Sequence, residues 1–171
     1  MTRFLLGFVT AFVLLAVLVV GVVWLGLAPV ATASTPLPFE ETLAMTAVHK
    51  AVAREMPKAV PLPASEENFM AGAHTYRAHC AVCHGLPGQP QTAIAKGEFP
   101  KPPELFAKEG VTDDPPGETF WKVANGIRLT GMPGFKTSLS DEQMWQVSLL
   151  LANANKLSAP VTEILRAPLP Q

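Results

Sequence analysis

Charge is what this sequence has least of. Asp, Glu, Lys and Arg make up 16% of its 171 residues, where about 25% is usual for a soluble domain. The net charge is −1, which removes the strong positive field of a nucleic-acid binder. Cysteine is nearly missing as well. Two residues are too few for the disulfide framework of a small secreted domain. After residue 64 there are few β-branched runs and no period-2 alternation, so no sheet is expected. Apolar residues are plentiful at 49%, and with so little charge this excludes a wholly disordered chain. The length fits one ordinary domain, or a smaller one with attachments.

The apolar surplus sits at one end. Phe4 to Leu27 is 24 residues with no charged side chain and 20 apolar ones. The remaining 147 residues hold 63 apolar ones, an ordinary share for a soluble domain. As a helix the stretch would span roughly 36 Å, enough for a ~30 Å hydrocarbon core. Arg3 precedes it, and the next Lys or Arg is Lys50. The positive-inside rule puts the N-terminus in the cytoplasm and the rest outside. Trp24 falls where an interfacial indole is expected. A cleaved signal peptide is the competing reading, with Ala31-Thr32-Ala33 before Ser34 as cleavage site, but the apolar run exceeds the ~7–15 residues of a signal. The expectation is an uncleaved anchor over residues 1–27, with residues 4–27 in the lipid bilayer.

Residues 28–64 read as a connector bounded by Pro29, Pro36 and Pro38 on one side and Pro57, Pro61 and Pro63 on the other. Within it Glu40 to Met56 predicts a short helix, acids first and bases later as the macrodipole favours. Val48, Val52 and Met56 give it one apolar edge, suited to a stalk or to docking on a partner. A compact all-α domain follows over residues 65–157. Ser65, with Glu66 and Glu67, predicts a helix start running to about Cys80. Gln91 to Lys96 predicts one or two turns, and Pro102 to Gly110 another turn-like piece. Asp114 is the expected cap of a helix opened by Pro115 and Pro116 and ended by Gly126. Ser140 and Gln143 form a capping box for a last helix, Asp141 to about Lys156. Residues 158–171 hold three prolines and read as an irregular tail.

Cys80-Ala81-Val82-Cys83-His84 carries the chemistry. C-x-x-C-H is the attachment signature of c-type haem. Two thiols three residues apart can each reach one vinyl group of a single porphyrin, and the next residue, His84, then faces the iron. Both cysteines of the chain are used by the motif. A thioredoxin-like pair would need a βαβ setting. A structural zinc would need four ligands, and no second pair is spaced for it. A plain disulfide would leave His84 unexplained.

The second axial ligand is expected to be Met132. It lies in Gly131-Met132-Pro133-Gly134, a bent loop rather than a packing helix. Forty-eight residues separate it from His84, enough chain to reach the opposite face. Met144, beside Trp145 on the last helix, reads as core filler. Met70 lies too near the attachment site to cross the ring, and Met45 and Met56 belong to the connector. His74 and His79 sit on the helix leading into the motif, on the wrong face, and His49 would have to fold back.

With these residues in order, the sequence resembles a class I (small, single-haem) cytochrome c of the membrane-anchored bacterial type. The resemblance covers about residues 65–157. Gly72 to Tyr76 resembles the family's first helix, where Gly lets the last helix cross closely. Trp145 and Leu149 resemble the apolar side of that last helix. Pro103-Glu104-Leu105 resembles the family's P-x-L, whose Pro carbonyl accepts a hydrogen bond from the axial His; Pro102 is the adjacent alternative. Asn125-Gly126-Ile127 to Met132-Pro133 resembles the family's Met-ligand loop.

The resemblance implies a fold of three to five helices around one covalent haem c, preceded here by the transmembrane helix. Cys80 and Cys83 would hold the haem as thioethers, and His84 and Met132 would ligate its iron. No catalytic residue is implied: the activity is one-electron transfer between membrane-bound respiratory partners in the periplasm. A haem subunit of a larger membrane oxidoreductase is the alternative, then an open-site haem enzyme or sensor. Leu86, Ile94, Leu105, Phe106, Phe120, Val123, Ile127, Leu129 and Phe135 are candidate pocket residues, and Trp121 and Arg128 candidate neighbours of the propionates.

Overall fold

The computed structural model describes residues 1–107 and 111–168. Among them are eight α-helices, one short 3₁₀ turn and no strand. The expected turn over Pro102 to Gly110 is seen to residue 107, its last three residues lying outside the described ones. By contact the chain divides into two units, Met1–Glu40 and the part from Glu41 onward.

The first unit contains α1, Thr2–Trp24. None of its residues is buried. Length and apolar composition suffice to cross a membrane, at about 1.5 Å per residue. Its one hydroxyl is satisfied within the helix, where Thr10 donates to the Leu6 carbonyl at 2.9 Å. A Schellman motif ends it. Gly26 takes φ +67°, its N–H reaches the Val23 carbonyl at 3.1 Å, and the Leu27 N–H reaches Val22 at 3.0 Å. These bonds satisfy carbonyls that a helix end otherwise orphans.

In the second unit α3 (Glu66–His79) and α7 (Asp141–Ala152) cross and pack together. A Cβ on Gly72 would lie 2.4 Å from the Gln146 carbonyl oxygen and 3.2 Å from Leu150 Cβ. Only glycine permits this approach. The crossing is therefore made by Gln146 and Leu150, one position along from the expected Trp145 and Leu149. One residue is about 100° of helix, and that turns Trp145 away to stack on Phe120, ring centroids 4.3 Å apart. Phe120 belongs to α6, Pro116–Asn125, which also packs on α7.

The caps at Ser65 and Ser140 form as expected, the second as a full capping box with Gln143. Three expectations are corrected. Pro115, not Asp114, is the N-cap of α6, with no side-chain cap bond. Pro115 and Pro116 have no N–H, so fewer orphan donors need one. The last helix stops at Ala152. Asn153 turns its side-chain amide back to the Leu149 carbonyl at 2.8 Å, and a 3₁₀ turn, Ala154–Lys156, follows.

The third correction is the tail. Ala159–Arg166 is a helix, α8, packed on α3 with Val161 and Leu165 buried. Pro160 lies in its first turn, where proline is compatible with a helix. Ser158 donates to Glu66 Oε1 at 2.7 Å, and Arg77 donates to the Ala167 carbonyl.

The connector helix α2, Glu40–Glu55, docks on the haem-motif unit itself. Val52 is buried, and Trp121 Nε1–H donates to Glu55 Oε2 at 3.2 Å. Next to it the Pro57 carbonyl lies against Gly117 so closely that a Cβ there would meet it at 2.0 Å.

Replacing Leu165 with Ala is expected to cost about 2–5 kcal/mol of unfolding free energy. The exposed Glu163→Ala should stay within about 0.5 kcal/mol. Guanidinium unfolding of both variants checks this; an irregular tail would leave them alike.

Candidate haem site

The attachment motif is placed by the end of α3. Tyr76 is fully buried and donates to the Gly85 carbonyl at 2.8 Å, with Phe106 edge-on to its ring. Cys80 is the C-cap of α3, and its N–H still reaches the Tyr76 carbonyl at 2.8 Å. The chain then starts a new single turn, α4, Ala81–His84. Cys83 and His84 both donate backbone N–H to the Cys80 carbonyl, at 3.1 and 2.9 Å. Gly85, at φ +74°, ends the turn. The motif is thus one rigid turn that presents two thiols and an imidazole.

Cys80 and Cys83 are not joined in a disulfide. Burial, then the neighbouring Cys83, pushes the Cys80 thiol up to about 12. Burial, then a hydrogen bond to Glu98, pushes Cys83 up to about 11. Redox-active cysteines need the opposite, a lowered thiol pKa. Among the described residues no group of three or more His, Cys, Asp or Glu side chains is placed to hold a metal ion directly.

His84 Nδ1 lies 2.9 Å from the carbonyl oxygen of Pro103, which settles the choice between the two prolines. A carbonyl only accepts, so Nδ1 carries the proton and Nε2 keeps its lone pair. Burial lowers the imidazole pKa, opposed by the Pro103 bond and by the charge of Glu98. A neutral imidazole with a fixed tautomer and a free nitrogen is suited to ligate iron.

The Met132 loop leaves the end of α6 at Gly126, φ +67°. A Cβ there would lie 2.5 Å from Gly134 N and 2.8 Å from the Met132 carbonyl oxygen. Across this approach the Ile127 N–H reaches the Met132 carbonyl at 3.2 Å. Thr130 Oγ1 donates to Ile127 and accepts from the Met132 N–H at 3.1 Å. Phe135 and Lys136 return their N–H groups to Val123 and Ala124 on α6. Met132 is half-buried and packs with Phe120 and Phe135 on a cluster of Val123, Ala124, Leu139 and Met144. Met144 is fully buried there as core.

A separate cluster, built on α3, α7 and α8, includes Leu86 and takes Cys80, Leu105, Phe106 and Met70 against its side. Leu129, at φ +62°, is 93% exposed, and Ile94 is 55% exposed, so neither packs on the protein core. Trp121 uses its N–H on Glu55 rather than holding it free for a propionate, and Arg128 is exposed. His49, His74 and His79 are exposed, the last with its ring 6.0 Å from that of Phe135.

One residue not marked by the sequence joins the two halves. Glu98 follows α5, Ala93–Gly97, and its carboxylate accepts from Cys83 Sγ at 3.2 Å. The same carboxylate lies against Gly131, where a Cβ would meet it at 2.8–3.0 Å. Fifteen residues separate Glu98 from Cys83, and no local pattern links them.

The helical fold, the one-turn C-x-x-C-H motif and the imidazole held by Pro103 define a class I monohaem c-type cytochrome domain. Residues 67–149 match the family model described as cytochrome c oxidase, cbb3-type, subunit III, a model of class I monohaem c-type cytochrome domains. Domains of this family bind covalent haem c, and such a domain suggests haem binding and electron transfer. No curated protein matches the chain. One similar solved structure is the Kuenenia stuttgartiensis reducing HAO-like protein complex Kustc0457/Kustc0458. Identity is 22%, with 61% of this chain and 54% of that chain covered and a TM-score of 0.48. The chain thus spans about half the length of that solved relative.

Gly126→Ala is expected to push the Met132 loop off α6, since it adds both a clash and an unfavourable φ, the latter alone worth about 1–2 kcal/mol. The expected sign is a lower midpoint in guanidinium unfolding.

Proposed function

We propose that this chain is a membrane-anchored periplasmic cytochrome c that passes single electrons between respiratory partners. The observation that carries the reading is the His84 imidazole, oriented by the Pro103 carbonyl directly after a C-x-x-C pair. Bound haem supplies a one-electron Fe(III)/Fe(II) couple. Cys80 and Cys83 would hold it as thioethers, and His84, through Nε2, and Met132 would ligate its iron. A thioether sulfur and an apolar surround favour Fe(II) and raise the potential. With His84 and Met132 both ligating the iron, no position would be left open to a substrate, and the domain would act as a carrier rather than an enzyme.

Residues 1–27 are the anchor in this reading, with Arg3 on the cytoplasmic side. The haem domain comprises residues 65–157 together with the docked α2 and α8. From Ser65 to Leu157 there are 8 Lys or Arg and 10 Asp or Glu, so long-range steering of partners is weak. Tethering supplies the encounter instead, by raising the effective concentration at the membrane. The description of the matched family names an oxidase subunit. That favours, as a second reading, the haem subunit of a larger membrane oxidoreductase complex.

The oxidised protein is expected to show the far-red Met–iron band, and its reduced form should not bind CO. Met132→Ala should abolish the band, admit CO and lower the midpoint potential. CO binding by the wild-type protein would instead establish an open-site haem protein. The chain should fractionate with membranes. Its reduction by native membranes should change little with ionic strength, and a steep decline would refute delivery by tethering.

A further inference from the structure

Glu98 is a charged side chain that touches both the attachment motif and the Met132 loop. Its position is fixed from several sides. Thr92 Oγ1 donates to the carbonyl of Val82, inside the motif, at 2.5 Å and also caps α5, accepting from Ala95 N–H at 3.1 Å. α5 packs on α4, and Glu98 comes directly after α5. From there the carboxylate reaches Cys83 Sγ on one side and Gly131, one residue before Met132, on the other. It is also close enough to act on the His84 ring through its charge. Among the described residues no lysine or arginine forms an ion pair with it.

Cys83 can donate to this carboxylate only as a thiol. A sulfur bonded to carbon in a thioether has no proton to give. With haem joined at Cys83, the half-buried carboxylate would lose that donor. A negative charge next to a redox centre stabilises the more positive oxidation state, by an amount that grows as solvent is excluded. We infer that Glu98 is a potential-setting residue, whose charge at the haem edge holds the midpoint potential below the value the His84 and Met132 ligands alone would give. The inference rests on the reading that haem is joined at Cys83 with Met132 as its sixth ligand.

The test is a spectroscopic redox titration of the full-length haem-loaded protein and two variants, Glu98→Gln and Glu98→Asp. Gln keeps the shape and removes the charge; Asp keeps the charge. For Glu98→Gln the midpoint potential should rise, lowering the Fe(III)/Fe(II) ratio at a fixed applied potential about three- to tenfold, tenfold being 59 mV for one electron. Glu98→Asp should move less than half as far, and the far-red band should persist in both. An unchanged or lower potential in Glu98→Gln overturns the inference, as does an equal shift in Glu98→Asp. Loss of the far-red band in Glu98→Gln would make Glu98 a brace for the Met132 loop and likewise overturn it. If the wild type itself lacks the band, the Met132 ligation fails, and the shift between wild type and Glu98→Gln still decides the role of the charge.

Discussion

The close approach of α3 to α7 at Gly72 is the contact on which the rest of the domain depends. The Gln146 carbonyl occupies the space that any side chain at position 72 would need. Two helices this close share one layer of side chains, so Val147, Leu150 and Leu151 of α7 join Ala73 and Tyr76 of α3 in one cluster. The same α7 carries Met144 into the second cluster, under Met132. Fixing α3 also fixes its end. Eight residues beyond Gly72, about two turns or 12 Å, the helix stops at Cys80 and the attachment turn begins. The geometry of the site is inherited from a backbone contact that includes no site residue.

The two sides of the site are built by different means. On the histidine side the chain is held by hydrogen bonds within a few residues of the motif, from Cys80 to His84, and by one distant carbonyl, Pro103. On the methionine side a loop of irregular backbone is closed by Gly126 and by Thr130, whose hydroxyl both donates and accepts. Neither half needs a side chain from the other. The contact that bridges them is the Glu98 carboxylate, placed against Cys83 and Gly131 together.

What the sequence makes legible follows from range. The C-x-x-C-H motif states its chemistry in five consecutive residues, and Ser65 and the Ser140–Gln143 pair announce helix starts through bonds spanning three residues. Prolines are harder, because their meaning depends on position. Pro160 looked like a breaker but stands in the first turn of α8, while the i, i+4 pair Val161 and Leu165 was the signal that a helix buries a face there. Pro115 and Pro116 removed the need for the cap expected at Asp114. The docking of α2 and the place of Glu98 rest on contacts 66 and 15 residues apart, Trp121 to Glu55 and Cys83 to Glu98. No periodicity or spacing rule reaches that far.

The docked α2 also changes what the connector can do. Read as a stalk, residues 28–64 would be a long flexible reach. With α2 docked on the haem-motif unit, the non-helical part contracts to residues 25–39, between the end of α1 and the start of α2. Fifteen residues extend to about 50 Å at most, and as a flexible chain average about 20 Å end to end. Effective concentration falls steeply as a linker lengthens beyond the span it must bridge, so under the proposed anchoring a short leash would favour a partner whose own redox site lies near the same membrane surface. That suits a domain with little net charge. Where electrostatic steering is weak, a short leash is the remaining way to make encounters frequent, and the scarcity of charge then costs the protein little.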